Sequence, residues 1–313
     1  MPRFALVTLI MLMPALCLMP NRAWSQETVA TMPIADLHFH PENNKKPAEL
    51  KEAIDRAGVR WFGLGERIGG PPVMSEYKQA FGDRFIAFGG QSLMNQILIR
   101  GGSRAMENPN DEQFLKLLAY LDQGLGDKSL VGIGELFVNN QNTNAQERMR
   151  RKMVIDGPVI RALFDLAVKH EAFLAFHMEG NAESVAQLER LAASNRKGRI
   201  ILNHCGINLP PSEIDRLFTA HANLFCEISV RYPPMVRGKV FTRIFDSSAI
   251  GSGWKEVIVK HADRFMVGTD AEGNNGQYLE SIKNVRSGLL ANLPIEAARQ
   301  VAYGNAQALF GLK

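Results

Sequence analysis

The sequence predicts an α/β protein, a single (β/α)8 TIM-type barrel with parallel strands and a C-terminal helix. Short apolar runs alternate with longer stretches of helical period, and eight such runs occur along the chain. The runs are continuously apolar, as is typical of parallel strands buried on both faces. The chain has 313 residues, enough for a barrel that commonly needs ~250.

The predicted strands are the runs rich in Val, Ile and Phe. They span Pro33–His40, Arg60–Gly65, Arg84–Gly89, Leu130–Leu136, Ala172–His177, Arg199–His204, Asn223–Ser229 and Arg264–Asp270. Strand-then-helix units repeated in this way favour a closed barrel. An open doubly wound sheet is the alternative, but no Gly-rich phosphate-binding motif follows the first run.

The segments between the strands have helical period. The predicted helices are Pro47–Ala57, Asp111–Gly124, Pro158–His170, Glu183–Ser194, Pro211–Ala222, Trp254–Ala262, Gln277–Leu290 and Pro294–Phe310. Four longer connections follow strands, at Gly65–Met74, Gln91–Asn110, Val138–Gly157 and Arg231–Gly253. In a barrel, connections on that side build the mouth where active sites lie.

The N-terminus has the pattern of a secretory signal. An apolar run, Phe4–Met19, follows a basic start, and no acidic residue occurs before Glu27. Ala23 and Ser25 supply the small residues that a signal peptidase reads. The run is short for a permanent membrane span, which is the less favoured alternative. We therefore expect a signal peptide over 1–25, a barrel domain over 26–313, and a secreted or periplasmic protein with no stable membrane span after cleavage.

The charge of the chain gives no indication of a nucleic-acid partner. The formal net charge is +4, and it falls to +2 without residues 1–25, which hold two arginines and no acid. The densest basic run, residues 148–152, is interpreted as a solvated helix face. We expect a small-molecule substrate and no nucleic acid, and self-association as a homo-oligomer stays open.

Two cysteines follow the predicted signal, Cys205 and Cys226. Two cysteines in a domain of this size do not form a disulfide framework. We expect two buried thiols in or near strands. An exported protein leaves a disulfide open as the alternative.

The histidines fall into two groups. Three of the seven lie near the ends of predicted helices, where they face a helix C-terminal dipole: His170, His221 and His261. The other four lie at the C-terminal ends of strands one, five and six: His38, His40, His177 and His204. Four histidines converging on one rim are difficult to explain by packing, because each would need a buried partner. Alternation along a strand places His38 and His40 on the same face.

Two carboxylates end strands at the same rim. Glu135 closes Gly132-Ile133-Gly134-Glu135, and Asp270 closes Val267-Gly268-Thr269-Asp270. A buried carboxylate is costly unless it is paired or bound to a cation. Together with imidazole, the commonest metal ligand, these acids predict a divalent metal site. Asp36, in Asp36-Leu37-His38-Phe39-His40, is expected to support the site rather than to bind the metal.

In this order and on these strands, the residues resemble the amidohydrolase superfamily, in particular the amidohydrolase-related branch of (β/α)8 metal-dependent hydrolases. The closing segment Tyr303–Leu312 also looks like the superfamily's last helix, and the resemblance covers about residues 32–313. The resemblance implies one metal on His38, His40 and Asp270, a second on His177 and His204, and a bridge through Glu135. It leaves a one-metal site open, in which His204 serves catalysis.

The resemblance implies a metal-dependent hydrolase that uses a metal-activated water on a small-molecule amide, lactone, ester or phosphoester. Zn²⁺ is the expected ion, with Mn²⁺ as the alternative. Asp270 is expected to transfer the proton, and His204 to ligate or to orient the substrate. Arg67 and Arg231 are expected to bind a substrate carboxylate or phosphate, with a structural ion pair as the alternative role of each. A non-hydrolytic lyase (decarboxylase or hydratase) on the same barrel and a non-catalytic periplasmic binding protein are the competing functions.

Overall fold

Eight parallel strands form a barrel in chain order. The computed structural model describes residues 27–40, 47–64, 70–143, 146–229, 231, 242–271 and 275–313. The strands are β1 Ile34–Phe39, β2 Val59–Leu64, β3 Phe85–Gly90, β4 Gly132–Asn139, β5 Phe173–Glu179, β6 Arg199–Ile207, β7 Leu224–Ile228 and β8 Phe265–Val267. A parallel bridge between Phe39 and Ala271 joins the first strand to the segment after the last. The predicted (β/α)8 barrel is therefore confirmed.

The side chains of each strand alternate between the barrel interior and the helical layer. On β5, for example, Phe173 and Ala175 belong to the inner cluster, whereas Leu174 and Phe176 pack with the helices. Both faces are apolar, so the strand sequences show no alternation of polarity. The C-terminal Phe310 lies against Phe173, with ring centroids 4.8 Å apart.

Helices surround the barrel. They are α1 Pro47–Arg56, α2 Gly70–Phe81, α3 Gln91–Met106, α4 Glu112–Gly126, α5 Pro158–Lys169, α6 Ala182–Ser194, α7 Pro211–Ala220, α8 Trp254–Lys260, α9 Asn275–Asn284, α10 Ile295–Arg299 and α11 Asn305–Phe310. The π-helical turns Val285–Leu289 and Gln300–Gly304 continue α9 and α10. Within the described ranges, no helix combines the length and the apolar character that crossing a bilayer requires.

Two of the predicted long connections are wrong, because they contain helices. Helix α2 begins at Gly70, and the prolines that follow fit a first helical turn, where no N–H bond is lost. Helix α3 occupies most of Gln91–Asn110. It is kinked at Gly102, where φ is 65°, and its buried face includes the polar residues Gln91 and Ser92, which weakens the apolar period in the sequence.

The three histidines assigned to helix ends lie where the sequence placed them. His170, His221 and His261 are the C-cap residues of α5, α7 and α8. Each ring faces a carboxylate of the preceding helix: Asp122 at 2.6 Å, Glu189 at 3.4 Å and Asp215 at 2.7 Å, respectively. These contacts tie neighbouring helices together, far from the strand ends that carry the other histidines.

Two further expectations are corrected. The basic run 148–152 is not a solvated helix face, because Glu147–Met149 is a single 3-10 turn and Arg151 is buried. Cys205 and Cys226 are joined in a disulfide, with 4.8 Å between their Cα atoms, so the expectation of two thiols is wrong. Adjacent strands bring the two residues together: β6 and β7 pair in parallel, with Leu202 opposite Cys226.

Candidate metal centre

The six side chains singled out as metal ligands meet at the C-terminal mouth of the barrel. His38 and His40 end β1 on its inward face, and their Nε2 atoms lie 3.0 Å apart. The other four residues are Glu135, His177, His204 and Asp270, from β4, β5, β6 and the segment after β8. Glu135 was expected to end its strand, but β4 continues to Asn139 and Glu135 lies in the middle of it. The topology alone brings them together, because parallel strands end at one edge.

The first group of donors consists of four atoms. His38 Nε2 lies 3.3 Å from Glu135 Oε2 and 3.2 Å from Asp270 Oδ1. His40 Nε2 lies 3.7 Å and 3.0 Å from the same two oxygens. Ligands ~2.0 Å from a tetrahedral ion are about 3.3 Å apart, so this donor set fits a divalent ion such as Zn²⁺.

The second group consists of three atoms and shares Glu135 with the first. Glu135 Oε1 lies 3.1 Å from His177 Nδ1 and 3.1 Å from His204 Nε2, and the two ring nitrogens are also 3.1 Å apart. Three protein donors leave a position open for water or substrate. Since Glu135 presents one oxygen to each group, it stands where the predicted bridging ligand belongs. That these residues bind metal stays a prediction.

Mutual charge compensation dominates the electrostatics of the cluster. Burial raises the pKa of Glu135 and of Asp270, but the neighbouring histidines outweigh it and hold both pKa values well below the usual range. Burial also lowers the pKa of His38, but Glu135, Asp270 and Glu227 reverse the shift and hold that pKa well above its ordinary value. For His177, burial prevails and lowers the pKa. The carboxylates are therefore anionic at neutral pH and available to a cation.

Exposure distinguishes Asp270 from the other candidate ligands. Its side chain is 23% exposed, whereas those of His38, His204 and Glu135 are 1–3% exposed. Asp270 is thus the member of the cluster that a substrate entering the mouth reaches first. This position is compatible with its predicted role in proton transfer, which stays a prediction.

Two candidate ligands have backbone conformations that side-chain-bearing residues rarely adopt. His204 has φ 57° and Asp270 has φ 51°, and the left-handed stretch near the end of β6 continues through Cys205 and Gly206. A left-handed backbone conformation lowers the stability of the folded state by about 1–3 kcal/mol per residue that bears a side chain, and such residues tend to occur at functional sites. The surrounding contacts must therefore hold this segment in place.

Arg231 provides some of these contacts. Its guanidinium is buried and donates to the carbonyl oxygens of Thr242 at 2.8 Å and Leu209 at 2.9 Å, with longer contacts of 3.4–3.5 Å to those of residues 204–206. It also stacks over Trp254, and burial lowers its pKa to about 9. Its predicted substrate-binding role stays a prediction, whereas Arg67 lies outside the described residues.

Glu227 was missed by the sequence interpretation. It lies on β7, fully buried, and its Oε2 is 2.8 Å from His38 Nδ1 and 3.0 Å from Ser229 Oγ. Ser229 Oγ is in turn 2.7 Å from His204 Nδ1. The sequence did contain an indication of its importance, because a glutamate in the continuous apolar run Leu224–Ile228 is unusual for a strand buried on both faces.

Asp36 supports the site, as the sequence suggested. Its carboxylate accepts hydrogen bonds from Thr269 N at 2.9 Å, Thr269 Oγ1 at 2.8 Å and His38 N at 3.1 Å, and it belongs to neither donor group. Burial raises the pKa of Asp36 to about 7, although these hydrogen bonds oppose the shift. Asp36 therefore fixes the end of β1 to the segment after β8.

The outer edge of the second group is also held by hydrogen bonds. His177 Nε2 lies 3.1 Å from Thr143 Oγ1, on the loop after β4. Glu179 accepts hydrogen bonds from the backbone N–H groups of Asn142 and Thr143, both at 2.7 Å, and so fixes that loop. His177 is thereby directed with Nδ1 toward Glu135.

Comparisons with known proteins agree with this geometry at the level of the fold. No family model matches the chain, and no curated protein matches it in sequence. Among solved structures, an uncharacterised TIM-barrel protein from Bordetella bronchiseptica (14% identity, TM-score 0.58) matches over 90% of this chain and 99% of its own. A dihydroorotase from Campylobacter jejuni (14% identity, TM-score 0.55) matches over 90% of this chain and 84% of its own. A 2,6-dihydroxybenzoate decarboxylase from Rhizobium (14% identity, TM-score 0.52) matches over 90% of this chain and 99% of its own. The chain therefore shares the barrel fold of these structures.

Proposed function

We propose that this protein is a metal-dependent hydrolase of the amidohydrolase superfamily that acts on a small-molecule amide, lactone, ester or phosphoester. The observation that carries the proposal is the pair of donor groups joined by Glu135 at the mouth of the barrel. Zn²⁺ is the proposed ion because nitrogen and carboxylate donors at these spacings suit it, and Mn²⁺ is the alternative.

Six residues would form the proposed metal site, which would hold one or two ions. His38, His40 and Asp270 belong to one donor group, His177 and His204 belong to the other, and Glu135 lies between them. When bound, a divalent ion lowers the pKa of a coordinated water to about 7 and polarises a substrate oxygen. Asp270 is the more exposed carboxylate of the cluster, with 23% of its side chain accessible, and it would accept a proton from that water. His204 is buried beside Glu135 and would direct the substrate oxygen toward the ions.

The proposal is tested on protein that begins at residue 26. Elemental analysis should find one or two equivalents of a divalent metal, and chelation should abolish turnover on a panel of lactones, N-acyl amino acids, dipeptides and phosphoesters. Asp270→Asn should keep part of the metal and lower kcat by at least ~10²-fold, in the range of lost acid–base catalysis. Full activity in that variant, or wild-type protein that neither contains nor takes up Zn²⁺ or Mn²⁺, would contradict the proposal.

A second candidate is a decarboxylase on the same site. It is favoured by the fold similarity to the 2,6-dihydroxybenzoate decarboxylase. Release of CO₂ from hydroxylated benzoates, without turnover of any ester, amide or lactone, would select this reaction. Reversible ligand binding without turnover, by protein whose site holds no metal, would instead select the non-catalytic periplasmic binding protein.

Export to the periplasm or the medium is also part of the proposal. The apolar run Phe4–Met19 and the small residues before position 26 support it, and so does the disulfide between Cys205 and Cys226, since disulfides persist in oxidising compartments. N-terminal sequencing of the protein recovered from cell fractions tests it, and protein that retains Met1 and stays in the cytosol would refute it.

A further inference from the structure

We propose that Glu227, which belongs to neither donor group, sets the ring tautomers of one histidine in each group and thereby couples the two halves of the site. The inference deepens the proposed function and rests on it. Glu227 lies on β7, two residues after Phe225, an apolar residue of the barrel interior. Gly268 on the neighbouring segment makes room for it, because a Cβ there would overlap the Glu227 carboxylate.

The contact with His38 determines which of its ring nitrogens is free. Glu227 Oε2 lies 2.8 Å from His38 Nδ1, and a carboxylate can only accept. Asn203 Nδ2 also lies 2.9 Å from this nitrogen, but an amide N–H offers no acceptor, so Glu227 is the group that can hold the proton of the neutral His38 ring on Nδ1. Its Nε2, which faces His40, Glu135 and Asp270, then keeps the lone pair that a metal requires.

The contact with His204 runs through Ser229. Ser229 Oγ lies 3.0 Å from Glu227 Oε2 and 2.7 Å from His204 Nδ1. A hydroxyl has one proton, and Glu227 can only accept, so Ser229 donates to Glu227 and accepts from His204 Nδ1–H. His204 Nε2 is thereby left unprotonated toward Glu135 and His177. One acidic oxygen thus orients a histidine of each group.

A purely structural role does not account for this glutamate. Among the described residues, no Lys or Arg pairs with Glu227, and its Oε1 is buried without a hydrogen-bond partner. A buried carboxylate of this kind is costly, and an apolar side chain of similar volume would pack at least as well in the barrel. What an apolar side chain lacks is an acceptor for His38 and Ser229, and for the Asn203 amide, which donates to Glu227 Oε2 at 3.3 Å.

The experiment compares metal affinities of full-length variants by chelator competition with Zn²⁺. Glu227→Met keeps the side-chain length but removes the acceptor, and it should weaken both equivalents by about 10–100-fold. Glu227→Gln keeps an acceptor oxygen and should lose less than ~10-fold. Ser229→Ala should weaken one equivalent only. Ser281→Ala is the matched control, since Ser281 is a buried serine whose Oγ has no partner among the described residues, and it should bind Zn²⁺ as wild type does.

A second measurement needs no variant at Glu227. In zinc-loaded wild-type protein labelled with ¹⁵N-histidine, two-bond ¹H–¹⁵N spectra should place the protons of His38 and His204 on Nδ1. Protons on Nε2, or equal affinities for Glu227→Met and wild type, would overturn the inference. Wild-type protein that binds zinc with these tautomers but turns over no substrate would contradict the proposed function and leave the role of Glu227 supported.

Discussion

Reduction of the disulfide between Cys205 and Cys226 should lower the free energy of unfolding by about 3 kcal/mol. The two residues are 21 positions apart, and closing a loop of this length removes about 11 cal/mol/K of entropy from the unfolded chain, or about 3.3 kcal/mol at 25 °C. Both side chains are fully buried, so the folded state offers no compensating gain in hydration on reduction.

The assay is urea unfolding followed by tryptophan fluorescence, on oxidised protein and on protein reduced while unfolded and then refolded in excess dithiothreitol. With a slope of about 3 kcal/mol/M, expected for a chain of this size, the urea midpoint should fall by ~1 M. Thiol titration in denaturant should detect no free thiol before reduction and two after it, in protein that begins at residue 26.

The disulfide also bears on the metal site, because Cys205 follows His204 in the left-handed stretch near the end of β6. The reduced protein should therefore bind zinc more weakly in the group that contains His204. Equal urea midpoints for the oxidised and the reduced protein, with the thiol counts as stated, would refute the reasoning.

Two further predictions concern the barrel around the site. Gly268→Ala places a Cβ against the Glu227 carboxylate and should cost at least ~2 kcal/mol of unfolding free energy together with zinc affinity. Gly82 has a left-handed backbone with open space around it, so Gly82→Ala should cost ~1 kcal/mol and leave zinc binding unchanged. Equal losses of zinc affinity would contradict the packing argument. Hydrogen bonds from Arg216 hold the pKa of Glu189 below its ordinary value of 4.5, so the contact stabilises the folded protein above that pH and is lost as the pH falls through the lowered pKa. The stability difference between wild type and Glu189→Gln, measured by urea unfolding, should be largest near pH 7 and vanish in acid, and a difference that grows in acid would have the wrong sign.

Much of the site was predictable because a parallel barrel converts chain order into position. Once His38, His177 and His204 were placed at the C-terminal ends of strands, the shared direction of the strands placed them at one rim without knowledge of any distance. Glu135 and Asp270 followed from the same reasoning, since acids that end apolar strands need a compensating cation. Helix α3 escaped prediction because its buried face begins with the polar residues Gln91 and Ser92, which weakens its apolar period.

Other properties depend on contacts between residues far apart in the chain, which no local pattern encodes. The sequence by itself determined the barrel and the set of candidate ligands, through periodicity and residue type. Only the tertiary structure decided that Cys205 and Cys226 form a disulfide, that the Arg231 guanidinium contacts backbone carbonyls, and that Glu227 reaches both His38 and Ser229. The physical reason is that a hydrogen bond tolerates a change of only a few tenths of an ångström in the distance between donor and acceptor. Strand register and backbone conformation set that distance between neighbouring strands.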